Sequence, residues 1–222
     1  MPSATPAPNP SDAGPHQGWS VLHLDSNILV VDKPSGLLSV PAKPPATHAN
    51  LLDALLGRFG DVLLVHRLDR DTSGVLVFAR TRLAQRHLGW QSERRQVSKT
   101  YLAVVDGAPA HDAGRIEVPL VCDWPRRPMQ KPCFERGRAS TTDWRVLARG
   151  AESSRLEVRP RTGRSHQIRV HLLVMGYPVI GDPFYGRDPD GGAGRMLLHA
   201  HTLRFRHPDG GAAVEFTAPA PF

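Results

Sequence analysis

Long apolar runs are missing from this chain of 222 residues. No stretch reaches the roughly 18 consecutive apolar residues that a membrane-spanning helix needs, so no such helix and no membrane partner are expected. The opening residues have neither a basic start nor an apolar centre, and no secretory signal is expected there. Cysteine is scarce. Cys122 and Cys133 cannot build a disulfide scaffold or a four-cysteine zinc site, and a reducing cytoplasm is the expected compartment. The sequence has no HExxH and no CxxC, so no metal is expected. It also lacks a Walker A loop, a GxGxxG and a GxSxG. Nucleotide hydrolysis, dinucleotide redox and α/β-hydrolase chemistry therefore have no local support.

Lysine is scarce too. Lys33, Lys43, Lys99 and Lys131 are the only four, against 24 arginines. The net charge is +7 and the isoelectric point is near 10.1. A basic domain suggests a polyanion partner, nucleic acid first. Arginine suits that role because its planar fork grips phosphate at two points and stacks on bases. A GC-rich genome would account for the arginine-to-lysine ratio, but not for the net excess of positive charge.

Residues 1–18 are rich in Pro, Ala and Ser without apolar periodicity and read as a disordered tail. Trp19 to Val31 carries an extended apolar pattern, followed by a turn at Asp32 to Gly36. Residues 40–49 read as loop. Leu51, Leu52, Leu55 and Leu56 predict a helix over 51–59. Leu63 to Val65 and Val75 to Phe78 read as buried strands. Thr81 to Arg95 reads as a helix with Leu83, Leu88 and Trp90 as its apolar residues, and Tyr101 to Val105 as a strand ended by Asp106-Gly107. Two strands are expected between Val146 and Arg159, turning near Gly150. Ser165 reads as the cap of a helix running from His166 to Met175 and stopped by Gly176. Residues 199–205 and 214–216 read as a hairpin about Pro208 to Gly211. Short strands joined by turns, with few helices, imply an α+β fold with a mainly antiparallel sheet.

Three segments could carry chemistry. His66-Arg67-Leu68-Asp69-Arg70-Asp71-Thr72-Ser73-Gly74 places a carboxylate in a polar loop between two apolar strands. Asp69 there suits a nucleophile or a base; a turn with a surface ion pair is the alternative. Arg161 to Arg169 gathers arginines, a histidine and an amide about a helix N-terminus, which attracts anions; the alternative is a solvated basic face. Tyr101 opens an apolar strand, and could stack on a base or simply be a half-buried strand residue. His166 with His171, and His199 with His201, show no spacing that gathers three metal ligands.

Taken together, these segments resemble the A-type ribosomal large-subunit/tRNA pseudouridine synthases. His66-Arg67-Leu68-Asp69-x-x-Thr72-Ser73-Gly74 resembles that family's catalytic motif. Val31-Asp32-Lys33-Pro34-Ser35-Gly36-Leu37 resembles its N-terminal signature, and Lys99-x-Tyr101-x-Ala103 its second motif. Thr162-Gly163-Arg164-x-His166-Gln167-Ile168-Arg169 resembles its third. Gly176-x-Pro178-x-x-Gly181-Asp182 and Leu197-Leu198-His199-Ala200 fit as well. The likeness covers about 19–222, which is expected to be a catalytic domain with a mainly antiparallel mixed sheet flanked by a few helices. The length implies no N-terminal S4 domain. Cys122-Asp123-Trp124-Pro125-x-Arg127-Pro128-x-Gln130-Lys131 resembles the insert of the subgroup that modifies one uridine in 23S rRNA and one in a tRNA anticodon stem-loop. Arg70-Asp71 departs from that subgroup's more apolar filling.

The resemblance implies isomerisation of uridine to pseudouridine in structured RNA, without cofactor, metal or nucleotide. Asp69 would attack the sugar C1′, attack C6 of the base, or remove a sugar proton; all three routes stay open. Arg169 would pair with Asp69, and Tyr101 would stack on the uracil. The target uridine would be flipped out of its stack, with Arg67 filling the vacated space or holding its phosphate. Arg164, His166, Arg127 and Lys131 are the further expected RNA contacts. Arg94, Arg95, Arg126, Arg136 and Arg138 are candidates on charge alone. A monomer is expected. The competing readings are a non-catalytic RNA-binding module and an RNA hydrolase using His66 or His166.

Overall fold

The computed structural model describes residues 18–42, 48–188 and 193–222. The tail expected over 1–18 lies outside them apart from Gly18, as does the centre of the loop expected over 40–49. The chain divides into two compact units. The first runs to Val97 and takes back Leu203–Pro219; the second holds Ser98–Thr202 and Ala220–Phe222.

Two central strands of the first unit have no exposed face. In β2 (Ile28–Lys33), Ile28 to Val31 are fully buried, and every residue of β4 (Ser73–Ala79) is buried. Burial on both faces explains the unbroken apolar runs in place of alternation. β1 (Ser20–Leu24), β2 and β4 pair antiparallel in that order, and the short β3 (Leu63–Leu64) pairs with β4. The expected extended stretch over 19–31 is therefore two strands. They part at Asp25, whose Oδ1 accepts the N–H groups of Asn27 and Ile28 at 2.7 and 2.8 Å.

Helix α1 (Leu51–Phe59) has the expected bounds, with the Asn50 side chain accepting from the N–H of Asp53. Helix α2 (Arg82–Glu93) is capped by the Thr81 hydroxyl and ends before Arg95, whose φ is 57°. Its expected apolar face is corrected. Ala84 and Leu88 are buried, whereas Leu83 and Trp90 are exposed. Ala84 and Leu88 pack with Ile28, Val30, Val75 and Val77.

The second unit contains β5 (Ser98–Asp106), β6 (Ala113–Glu117), β9 (Thr141–Arg149) and β10 (Ser153–Pro160), paired antiparallel in the order β5-β10-β9-β6. β7 (Leu120–Cys122) and β8 (Gln130–Pro132) form a separate antiparallel ribbon. Helix α3 (Gln167–Val174) lays Ile168 and Leu172 on a core of Ala103, Val105, Leu156 and Val158. β6 had no apolar alternation to announce it, since Ile116 is its one buried residue. Its Gly114 lies under Trp144, where a Cβ would come within 3.0 Å of the indole. β11 (Leu198–Arg206) changes unit along its length and is followed by β12 (Ala213–Thr217) in the first unit.

The expected start of α3 is corrected as well. The residue before the helix is His166, not Ser165, and it sits in the left-handed region at φ 52° with no side-chain cap. The free N–H of Arg164 is taken instead by Oε1 of Gln167 at 3.0 Å. Three α-helices among the described residues, with a large mixed sheet whose pairs β1-β2, β2-β4, β5-β10, β10-β9 and β9-β6 run antiparallel, make the α+β class expected from the sequence.

Candidate active site

The loop that carries Asp69 is held from beneath by the Asp32 to Leu37 segment. Register Lys33↔Gly74 brings the end of β2 to the start of β4. There Lys33, fully buried, donates from Nζ to the carbonyls of Pro34, Leu37 and Arg70 at 2.8, 2.8 and 2.9 Å. The N–H of Gly36 also reaches the Arg70 carbonyl, at 2.9 Å, where Gly36 takes a φ of 84°. Ser35 Oγ donates to the Asp71 carbonyl at 2.7 Å, and Ser39 Oγ bonds both the carbonyl and the N–H of Leu68. The backbone is therefore fastened at Leu68, Arg70 and Asp71, on both sides of Asp69. Two sequence segments that looked like separate motifs are one structural device.

Within that loop Asp69 is partly buried, Leu68 and Thr72 are buried, and Arg67 and Arg70 are exposed. Arg70 pairs with Asp71, Nε to Oδ1 at 3.0 Å. Arg67 makes no hydrogen bond or ion pair among the described residues. Nε2 of His66 accepts from the N–H of Val77 at 3.3 Å, which fixes that ring to β4.

In the second unit, Arg169 is 2% exposed and Asp182 is fully buried. They meet in a two-point pair, Nε to Oδ2 and Nη2 to Oδ1, each at 2.6 Å. Asp182 Oδ1 also accepts the N–H groups of Phe184 and Tyr185 at 2.9 and 3.1 Å. The guanidinium carbon of Arg169 lies 5.0 Å from the Tyr185 ring centre and 5.4 Å from that of Phe184. The Tyr185 hydroxyl is 2.8 Å from Nδ1 of His166 and accepts from the N–H of Gln130 at 2.7 Å. Arg169, His166 and the ribbon strand β8 thus share one network. Gly181, with φ 72°, has the Arg195 carbonyl where a Cβ would be, 2.1 Å away, so this turn takes glycine only.

The start of α3 is locked by Gln167. Its Oε1 accepts from the Thr162 hydroxyl at 2.7 Å, and its Nε2 donates to the Thr141 carbonyl and Thr142 Oγ1, both at 3.0 Å. His171 is fully buried and its Nε2 donates to the Val118 carbonyl at 3.0 Å. Burial lowers its pKa and outweighs the raising effect of that bond, so the ring is held neutral.

Tyr101 is partly buried in β5 opposite Val158 and packs against the core of that unit. Lys99, two residues earlier, shares its strand face. Burial alone lowers the Lys99 pKa to about 8, and Lys99 makes no ion pair or hydrogen bond among the described residues. Arg164 is partly buried with Nε 3.3 Å from the Ala139 carbonyl. Arg127 is exposed, and Lys131 lies 3.2 Å from Asp123 Oδ1. Of the residues expected from the sequence, Asp69 and Arg67 lie in the first unit, whereas Tyr101, Arg127, Lys131, Arg164, His166 and Arg169 lie in the second. Lys33, Asp182 and Tyr185 were not singled out as side chains. Lys33 and Asp182 stand inside motifs of the resemblance, whereas Tyr185 lies three residues beyond the last residue of one and has no signal of its own.

One group among the described residues could hold a cation: His23, Asp25 and His207, with ligand atoms within 4.8 Å of one another. Hydrogen bonding already accounts for it. Nε2 of His23 and Nε2 of His207 meet Asp25 Oδ2 at 2.7 and 2.9 Å.

Residues 27–173 match the RNA pseudouridylate synthase family. The chain is 45% identical over 204 residues to the dual-specificity RNA pseudouridine synthase RluA of Yersinia pestis, covering 91% of this chain and 99% of the relative. It is 43% identical over 211 residues to the protein of the same name from Escherichia coli K12, covering 94% and 96%. Among solved structures, human RNA pseudouridylate synthase domain containing 1 superposes with a TM-score of 0.77 at 29% identity, covering 94% of this chain and 86% of that one. Human RNA pseudouridylate synthase domain containing 4, at 24% identity and a TM-score of 0.73, shares the fold over 90% and 88%.

Proposed function

The chain belongs to the RNA pseudouridylate synthase family and isomerises uridine in RNA to pseudouridine; we propose that Asp69, Tyr101 and Arg169 carry the reaction and that its targets are one uridine in 23S rRNA and one in a tRNA anticodon stem-loop. The named dual-specificity relatives and the insert over 122–131 support that pair of targets. The reaction breaks the N1–C1′ bond, joins C1′ to C5, takes the proton from C5 and leaves one on N1. It balances without a redox partner, and the residues assigned to it need no metal.

Asp69 serves as the nucleophile or base. The observation that carries this assignment is the fastening of the backbone on both sides of it by Lys33, Ser35 and Ser39. A reacting carboxylate must be held within a fraction of an ångström, and a loop pinned to buried strands supplies that. Arg169 serves as the basic partner of the reacting carboxylate, and Tyr101 as the ring that holds the detached uracil. Arg67, Arg164, His166, Arg127 and Lys131 contact the RNA, Arg67 at the space left by the flipped nucleotide. The enzyme works as a cytoplasmic monomer, with residues 19–222 as its catalytic region. No helix among the described residues is long and apolar enough to cross a membrane.

Tritium release from RNA labelled at C5 of uridine tests this reading. Wild type is expected to release tritium from a 23S rRNA transcript and from a tRNA transcript, with chelator present. Asp69→Asn is expected to release none while binding both RNAs nearly as tightly. Release from one transcript alone removes the second target. Undiminished release by Asp69→Asn removes Asp69 from the chemistry.

A further inference from the structure

The ribbon of β7 and β8 presents an aromatic ring that the reaction does not use. Trp124 is 67% exposed, and Phe134, just beyond β8, is 78% exposed. Large exposed aromatics are unfavourable in water and are uncommon on a surface without a partner. The segment that bears Trp124 is nevertheless firmly built. Asp123, which precedes it, is buried, and its carboxylate holds Arg126 at 2.7 Å and Lys131 at 3.2 Å. Residues 124–126 form a single 3-10 turn, closed by the N–H of Arg126 on the Asp123 carbonyl at 2.9 Å. The N–H of Asp123 and the carbonyl of Met129 close the ribbon at 2.9 Å, and Gln130 is fastened to the Tyr185 hydroxyl.

One side of the indole is already occupied. The guanidinium carbon of Arg127 lies 4.1 Å from the ring centre, a close cation–π contact. The ribbon and the turn after it carry Arg126, Arg127, Lys131, Arg136 and Arg138 against Asp123 and Glu135. Two of those cations neutralise Asp123, which leaves an excess of positive charge around the ring. A flat ring, rigidly mounted, backed by a guanidinium and surrounded by positive charge suits an unpaired nucleobase and its phosphate.

We propose that Trp124 is a stacking site for an unpaired base of the RNA substrate, away from the reacting uridine, with Arg127 ordering the ring and meeting the adjoining phosphate. This rests on the reading of the chain as an RNA uridine isomerase and adds a binding residue to it. Tyr185 joins the mount of this ring to the side chains around Arg169, through Gln130 on one side and Asp182 on the other. The ring therefore has a fixed position within the second unit.

The test compares wild type, Trp124→Ala and Trp124→Phe on tRNA and 23S rRNA transcripts. Trp124→Ala is expected to raise the dissociation constant and KM about tenfold, the scale of one lost base stack, with kcat within about twofold. Trp124→Phe is expected to recover most of the affinity, because a ring remains. The slope of log affinity against log salt should be unchanged in both, since stacking releases no counterions. Unchanged affinity in Trp124→Ala, or equal losses in the Ala and Phe variants, overturns the proposal. So does an affinity unchanged while sedimentation shows the variant dissociating a dimer, which would make the ring a protein interface. If wild type releases no tritium from either RNA, the isomerase reading fails, while the binding comparison still decides the stacking site.

Discussion

Arg169 and Asp182 form a fully buried two-point pair, with both N–O distances 2.6 Å. Burying two charges is costly, and such a pair gives little net stability over apolar residues of the same size. What it supplies is orientation. Asp182 grips the Nε–Nη2 edge and is itself fixed by the N–H groups of Phe184 and Tyr185, so the guanidinium plane has one setting. A buried basic group held in one plane suits a site where charge must be met at a defined point.

Asp182→Ala is therefore expected to be severe. It removes the two carboxylate oxygens that hold a buried guanidinium, and breaking a buried pair costs about 3–5 kcal/mol. Urea denaturation should show the unfolding free energy falling by that amount, with a correspondingly lower midpoint, and tritium release should fall with it. Arg169→Lys should not rescue activity, because a single ammonium cannot take two carboxylate oxygens in a plane. A midpoint unchanged in Asp182→Ala would contradict the role given to the pair.

Lys33 makes a parallel case in the first unit. Its three Nζ bonds end on backbone carbonyls, one of them that of Arg70, next to Asp69. Lys33→Met keeps most of the volume but strands those carbonyls in an apolar setting. Each buried unsatisfied group costs about 1–3 kcal/mol, partly relieved by water entering the loop. The expected result is a drop of roughly 2–5 kcal/mol in stability, with faster hydrogen exchange at Thr72 and a lower kcat. A stable variant with wild-type exchange and kcat would show that the loop needs no such anchor.

Much of this was legible in the residues, for reasons that differ by element. Leu51, Leu52, Leu55 and Leu56 gave α1 its bounds because the helix buries a single stripe, Leu51 and Leu55 foremost. β4 was visible as an unbroken apolar run because both its faces are covered. β6, β7 and β8 were not visible, since β6 and β8 are mostly exposed, β7 has only three residues, and none carries an apolar period. The α3 cap was misread because Ser165 has the right chemistry, whereas the backbone turns at His166 and a glutamine one residue later satisfies Arg164. The Asp69 loop was legible as a motif. Its dependence on Lys33 was not, because a lysine beside proline and glycine reads as solvated until its burial is seen.

Acid stability should depend on Asp25. Burial would raise its pKa, but hydrogen bonds from His23, from the N–H groups of Ile28 and Asn27 and from His207 outweigh this and lower it to about 2. A carboxylate depressed from 3.8 in the unfolded chain contributes its stability above that value and loses it as pH falls toward 2. With screening at this partly exposed site the contribution is about 1–2 kcal/mol. Wild type should lose that amount between about pH 5 and pH 2. Asp25→Asn should start less stable at pH 7 and show a shallower acid limb. Equal acid limbs in the two proteins would remove Asp25 from the account.

Lys99 gives stability the same direction of pH dependence at the alkaline end, but there it is the charged form that carries the cost. Its ammonium is lowered from 10.5 to about 8 by burial, so the folded chain releases that proton before the unfolded chain does. Between those two values the unfolded state binds more protons, and stability rises with pH across the window. Below about pH 8 the buried charge is a cost, on the order of 1–3 kcal/mol after screening. Lys99→Met should therefore be more stable than wild type at pH 7, and its advantage should shrink as pH rises from about 8 to 10. A protein tolerates an unpaired, partly buried cation only where something offsets it, and Lys99 shares a strand face with Tyr101, where an RNA phosphate would do so. On that argument Lys99→Met gains stability and loses RNA affinity together, and wild-type affinity falls as pH passes through about 8 while that of the variant stays flat. Gain of stability with unchanged affinity would show that the charge is not offset by RNA.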